Sequence, residues 1–299
     1  MNAYELQQEG LPGGLLVDHQ CIRAFHFKAL TGDTEFLLQE TAGDGLSRPE
    51  RISLLLSQVV DNIGDHQVDI STIRSLSIGD RDYLLQAFAA TLHDDPLWLT
   101  SECRHCKQLM DLSFRFAELP AKRIADNAVK EKAISLSSAE AIIRVPTGYD
   151  HEAIAAIDDD QSAISCLLGR LVSVSNQTNN KTCNNKKGSS PAQTFIKNWS
   201  QDDLAKIEVE IEAISPEVAD QLLVQCPHCQ TDNRVKVDVF SLLHESQEDI
   251  LAEVHQLAAS YHWSEAEILN LPTARRKRYL QLIDRAKGVS SHHHAMEMQ

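Results

Sequence analysis

The chain alternates between two hydrophobic periods. In two stretches apolar and polar residues alternate, with Leu112, Phe114 and Phe116 on one side of the first and Val235, Val237 and Val239 on one side of the second. A period of two predicts half-buried strands. Upstream of each stretch the apolar positions fall at helical spacing, with Leu84 and Phe88 in one segment and Ile207 and Ile211 in the other. Both predicted helices open on Ser-x-x-Asp, Ser77 with Asp80 and Ser200 with Asp203. The serine can accept from a first-turn N–H, and the acid sits at the positive end of the helix. Further helices are predicted over 51–62 and 161–172, and a helical linker over 121–132.

These segments superpose. At a constant offset of 123 residues, Ser77, Asp80, Leu84, Phe88 and Leu99 fall on Ser200, Asp203, Ile207, Ile211 and Leu222. Cys103-Arg-His-Cys106 falls on Cys226-Pro-His-Cys229 at the same offset. Further upstream, Ala29-Leu30-Thr31-Gly32 resembles Val145-Pro146-Thr147-Gly148 at an offset of 116. The second copy therefore carries a net insertion, which 173–193 accommodates: it is rich in Asn, Ser, Thr, Lys and Gly and reads as a flexible polar loop. The expected fold is α+β, with two pseudo-symmetric repeat units at 22–120 and 140–243 joined by a linker at 121–139. An N-terminal tail (1–21) and a disordered C-terminal tail (288–299) flank the structured part.

Beyond the second unit, 244–287 reads as a module of three helices. The first places Ile250, Leu251, Val254, Leu257, Ala258 and Tyr261 on one face. Ser264-Glu265-Ala266-Glu267 is a capping box for a short second helix, and Thr273 can open a third. Three short helices bury little surface by themselves. The face of Leu251, Val254, Leu257 and Tyr261, followed by Trp263 as an aromatic anchor, is therefore the expected partner-binding surface.

Charge narrows the function. The net charge is −15, which repels phosphate and makes general nucleic-acid binding unlikely. The run Arg275, Arg276, Lys277 and Arg278 is the exception and reads as a solvated helix face. With aromatics at only 5%, the cores must rest on aliphatic side chains. No stretch is long and apolar enough to span a bilayer, and the N-terminal segment carries Glu5 and Glu9 where a secretory signal would be basic. The expectation is a cytoplasmic protein with reduced thiols.

In that setting the two Cys-x-x-Cys pairs read as metal ligands. Cys103, Cys106, Cys226 and Cys229 supply the four thiolates of a closed tetrahedral zinc site, which leaves no open position for catalysis. The long separation of the pairs is explained if related units bring like positions together, so that one Zn2+ clamps both. Redox activity fits less well, because redox pairs open helices and these precede strands. His105 and His228 lie inside the knuckles as exposed residues or additional ligands. Cys21, Cys166 and Cys183 have no partner spacing; Cys166 reads as core and Cys183 as part of the polar loop. His292, His293 and His294 form a short tract in the tail. No phosphate loop, nucleophile elbow or metalloprotease motif is present, so the chain is not read as an enzyme.

Several segments resemble the T4-like phage baseplate protein family. They are Phe27-Lys28-Ala29-Leu30-Thr31-Gly32-Asp33, the run from Leu76 to Leu85, the first knuckle with Asp111-Leu112-Ser113-Phe114, and Arg144-Val145-Pro146-Thr147-Gly148. The stretches from Glu253 to Ala258 and from Tyr261 to Leu269 are similar to the ends of companion proteins in contractile phage tails and phage-derived injection systems. The resemblance implies a structural or assembly component of a baseplate, with baseplate or tail proteins as partners, and no active site. The rival reading is a zinc-dependent nucleic-acid-binding regulator, supported by the knuckles and the basic run.

Overall fold

The computed structural model describes residues 10–29, 31–40, 45–93, 95–125, 130–137, 139–174, 199–245 and 250–286. The architecture is mixed helix and sheet, as the two hydrophobic periods require. The chain forms two compact units, Met1–His26 with Gly45–Phe240, and Phe27–Asp44 with Ser241–Gln299.

In the larger unit, helices Arg48–Val59, Ile70–Ser75, Ile78–Leu92 and Gly148–Ala155 pack around Leu55, Leu56, Ile73, Leu84 and Phe88. Each start is explained locally. The Asp69 carboxylate accepts from Thr72 N–H, and the Ser77 hydroxyl accepts from Asp80 N–H. Ser47 and Glu50 form a capping box, and Pro at the first turn gives up an N–H that would have had no partner there. A second core forms where Glu131–Ser135, Glu140–Arg144 and Val172–Val174 make an antiparallel sheet against the helix Gln201–Ile214, burying Ile134, Ile143, Val172 and Ile207.

Two antiparallel hairpins carry the knuckles: Leu97–Glu102 with Leu109–Phe114, and Gln221–Gln225 with Asp232–Lys236. Their registers correspond. Leu99 pairs with Leu112, and Leu222 pairs with Val235. The caps of the two preceding helices correspond as well. Asp80 accepts from Gly14 N–H at 3.1 Å, and Asp203 accepts from Ser137 N–H at 2.8 Å.

Asp150 shows how a buried charge is held here. It is fully buried, accepts from Thr147 N–H at 2.9 Å, and meets Arg144 at 2.6 Å and Arg170 at 2.7 Å. Burial pushes its carboxyl up. The two guanidiniums and the cap bonds outweigh burial and hold it well below the usual carboxylate range.

Two expectations about segments fail. The stretch read as an N-terminal tail folds from residue 10 onward: Leu15–Val17 pairs with Gln20–Ile22, and Leu11 is fully buried. Its turn places Asp18 and His19 at φ of 48° and 65°, the left-handed geometry that a two-residue hairpin needs. The helical linker is also absent among the described residues. Ala121–Lys122 is a short strand paired with Glu217–Val218, because Pro120 precedes it and partner backbone lies alongside. Most of the polar insert, 175–193, lies outside the described residues, as do 288–299 with His292, His293 and His294. Residues 173–174 belong to the strand Val172–Val174.

The smaller unit corrects the reading of the C-terminal helices. Ile250–Tyr261, Glu265–Leu269 and Thr273–Ala286 do form, but they are not alone. The helix Gly32–Glu40 belongs to the same unit, with Phe36 packed on the core of Ile250, Val254, Leu257, Ile268, Leu269 and Ile283. Arg276 is fully buried and joins the pieces, reaching Glu253 at 2.6 Å and pairing with Glu35. Thr31 bridges to Pro272, and a Cβ on Gly32 would stand 2.9 Å from Arg276 Nη1. The larger unit contains a parallel arrangement. There Thr147 bridges to Ser77, and a Cβ on Gly148 would stand 2.7 Å from Nη1 of buried Arg81. In both units a Thr-Gly helix start lies so close to a guanidinium that glycine is the residue that fits.

Candidate metal centre

Each knuckle is built by its hairpin turn. In the first, Cys103 N–H donates to Gln108 O at 2.9 Å and Lys107 N–H donates to Cys103 O at 3.0 Å. The second repeats both bonds, with Cys226 N–H to Thr231 O at 3.0 Å and Gln230 N–H to Cys226 O at 2.9 Å. Closing the turn this tightly forces a left-handed residue after the second cysteine. Lys107 takes φ 63° and Gln230 takes φ 60°. Side chains in this region cost about 1 kcal/mol, part of which glycine gives back through its own entropy. Lys107→Gly with Gln230→Gly is therefore expected to stabilise the protein by roughly 0.5–1 kcal/mol, read as a raised urea midpoint at unchanged slope.

The four sulfurs converge. Cys103 Sγ lies 3.7 Å from Cys229 Sγ, Cys106 Sγ lies 3.7 Å from Cys226 Sγ, and all four lie within 4.8 Å of one another. A tetrahedron with Zn–S bonds of about 2.3 Å requires sulfur separations of about 3.75 Å. The cross-knuckle distances already match that requirement. Cys103 and Cys226 are fully buried, whereas Cys106 and Cys229 are partly exposed.

The electrostatics of the cluster are compatible with a bound cation. Backbone N–H groups of Cys106 and His105 point at Cys103, and these with the Asn233 amide bring its thiol down to about 6. Bonds from Thr231 pull Cys229 down. Cys106 is lowered by a backbone bond from Gln108, but burial and the three neighbouring thiols outweigh that and push it up to about 12. The cluster sheds its first protons readily and holds its last, because four thiolates this close repel one another. A bound dication removes that repulsion, and thiolate sulfur suits a soft or borderline metal. The donor set therefore fits a metal ion, and all four expected ligands meet in one place.

His105 and His228 are exposed and stand outside the cluster. Cys21 lies elsewhere, its Sγ donating to Gly13 O at 3.3 Å, and Cys166 is buried on the helix Asp160–Leu171. Cys183 lies outside the described residues. One contributor was missed. Asn233 is buried, donates to Cys103 Sγ at 3.4 Å and accepts from Arg104 N–H at 2.9 Å, tying one knuckle to the other. Its signal was available: Asn233 shares the inward parity of Val235 on its strand, where a polar side chain needs a partner.

The expected partner-binding residues divide. Val254 and Leu257 are 8% and 0% exposed within the smaller unit's own core, which removes them as partner contacts. Tyr261 stacks on Trp263 with ring centroids 4.8 Å apart, and both rings pack against Tyr279. Leu251 remains 52% exposed. The basic run is broken too, since Arg276 points inward and Arg275, Lys277 and Arg278 are exposed.

Taken as a class, this is an α+β protein in which, among the described residues, the four sulfurs of the two knuckles form the group of side chains that could hold a metal ion. The chain belongs to the family of the T4 bacteriophage base plate protein, whose sequence profile matches residues 22–244. No curated protein and no solved structure matches the chain at a significant level. Among the described residues no helix is long and apolar enough to cross a membrane.

Proposed function

We propose that this protein is a structural or assembly component of a contractile-tail or injection-system baseplate, held together by a structural zinc ion and working through contacts with other baseplate or tail proteins. The observation that carries the reading is the convergence of two distant Cys-x-x-Cys knuckles inside a member of a baseplate family. In this reading the two segments are an internal repeat related by a pseudo-two-fold, and Cys103, Cys106, Cys226 and Cys229 close the zinc site where like positions meet. Matching hairpin registers, matching cap carboxylates and matching left-handed residues support the repeat. The ion acts as a clamp and not as a catalyst, because four thiolates fill its coordination sphere.

Assembly would take place in the cytoplasm, with incorporation into the particle as its destination. Partner contact would run through exposed Leu251 and the edges of Tyr261 and Trp263. Burial of Arg276 in ion pairs with Glu35 and Glu253 weakens the regulator reading, since it takes one of the four cations of the basic run out of solvent.

Co-expression with the neighbouring tail genes tests the proposal. The protein is expected to co-purify with a baseplate or tail component, carrying one zinc per chain by elemental analysis. Leu251→Asp should cut recovery of that component at least ~5-fold without shifting the melting temperature, because exposed sites outside the core tolerate substitution. Recovery of nucleic acid in place of tail protein would refute the reading.

A further inference from the structure

Two helices of equal length carry complementary exposed stripes. Gln201–Ile214 and Thr273–Ala286 each have 14 residues. On the second, Arg275, Arg278, Leu282 and Arg285 are all exposed and follow the i, i+3, i+7, i+10 spacing of a coiled-coil seam. On the first, Asp202, Ala205, Val209 and Glu212 are exposed at the same spacing. Acids stand at both ends of one stripe and arginines at both ends of the other. Each has an aliphatic residue at the third place, Val209 at 63% and Leu282 at 43% exposure. Among the described residues no carboxylate pairs with Arg275, Arg278 or Arg285, and no cation pairs with Asp202.

We infer that these stripes are the two halves of a head-to-tail contact between copies of this chain, the helix Thr273–Ala286 of one copy lying along Gln201–Ile214 of the next. Side by side in parallel, Asp202 meets Arg275, Glu212 meets Arg285 and Val209 packs on Leu282. Run antiparallel, the acids still meet arginines, but Leu282 then faces the smaller Ala205 and Val209 faces Arg278, so the parallel seam with its larger Val209–Leu282 contact is the one assigned. A second copy is the occupant because the complement of the basic stripe, in charge, spacing and length, is present in the same sequence. The contact is heterologous, since different surfaces meet, so it propagates into a ring or an open chain and does not stop at a dimer. About three helical turns make a small interface, and the net charge of −15 repels copies at long range. The contact is therefore weak for an isolated pair, and ring closure strengthens it by making the last contact intramolecular.

Sedimentation equilibrium of the full chain at about 0.15 M salt tests this, because there the Debye length of about 8 Å screens the long-range repulsion but spares touching pairs. The weight-average mass is expected to rise with concentration past that of two chains. Arg275→Glu with Arg285→Glu should weaken association at least ~10-fold, as should Asp202→Lys with Glu212→Lys, because like charges then face each other. The chain carrying all four reversals should associate again, which separates lost pairing from lost folding. A mass that stays at one chain, a mass that saturates at two, association indifferent to the reversals, or failure of the fourfold variant to recover would each overturn the inference.

Discussion

Chelating the metal from the folded protein is expected to cause the largest loss of stability of any single perturbation to the larger unit. The two knuckles come from hairpins far apart in sequence, and among the described residues the Asn233 bonds and the sulfur cluster itself tie them directly. Metal binding that exists only in the folded state adds its binding free energy to folding. Strong chelation, or Cys103→Ser, should therefore lower the melting temperature by ~10 °C or more, since each kcal/mol is worth a few degrees in a unit of this size. Cys21→Ser is the matched control: that sulfur lies outside the cluster, so its loss should leave metal content unchanged. Thiol titration supplies the second measurement. The metal-loaded protein should hide four thiols that chelator exposes together. If metal-free protein melts with metal-loaded protein, the cluster is not a clamp.

How much of this was legible depends on whether the controlling interaction is local. Helix caps are local, and Ser77, Ser200 and Ser264 each cap the helix that their Ser-x-x-acid spacing announces. The ligand set was readable for a different reason. Two Cys-x-x-Cys pairs present four thiols at metal-ligand spacing, and the constant offset of the segments supplied a reason for distant pairs to meet. What escaped was non-local pairing. Nothing near residue 250 announces that Gly32–Glu40, more than two hundred positions earlier, belongs to the same compact unit. The face of Val254 and Leu257 therefore read as uncovered. The run from Arg275 to Arg278 likewise read as uniformly solvated, because helical spacing assigns Arg276 to the inner face only once the apolar neighbours Tyr279, Leu280 and Ile283 are known to pack there.

Arg276→Met is expected to destabilise the smaller unit far more than Arg275→Met on the same helix. The Arg276 guanidinium is fully buried and serves two carboxylates, Glu253 at 2.6 Å and Glu35 from the opposite end of the sequence. Removing it leaves both acids partly buried without their cation. Breaking a buried pair costs about 3–5 kcal/mol, well above the cost of the exposed substitution. The loss should be recoverable, because the penalty lies in the orphaned charges and not in the missing arginine. Adding Glu35→Gln and Glu253→Gln to Arg276→Met should restore a substantial part of the stability, since replacing a whole buried ion network by neutral groups is often close to neutral. Leu257→Ala gives an independent measure of the same core, with an expected cost of about 2–5 kcal/mol for a fully buried leucine. Urea melts followed by the fluorescence of Trp263, which packs on Tyr261 and Tyr279 in this unit, would report all of these directly if the other tryptophans, Trp98 and Trp199, are first replaced by phenylalanine. Equal melts for Arg276→Met and Arg275→Met would mean that the two ends of the chain are held together by the apolar core alone.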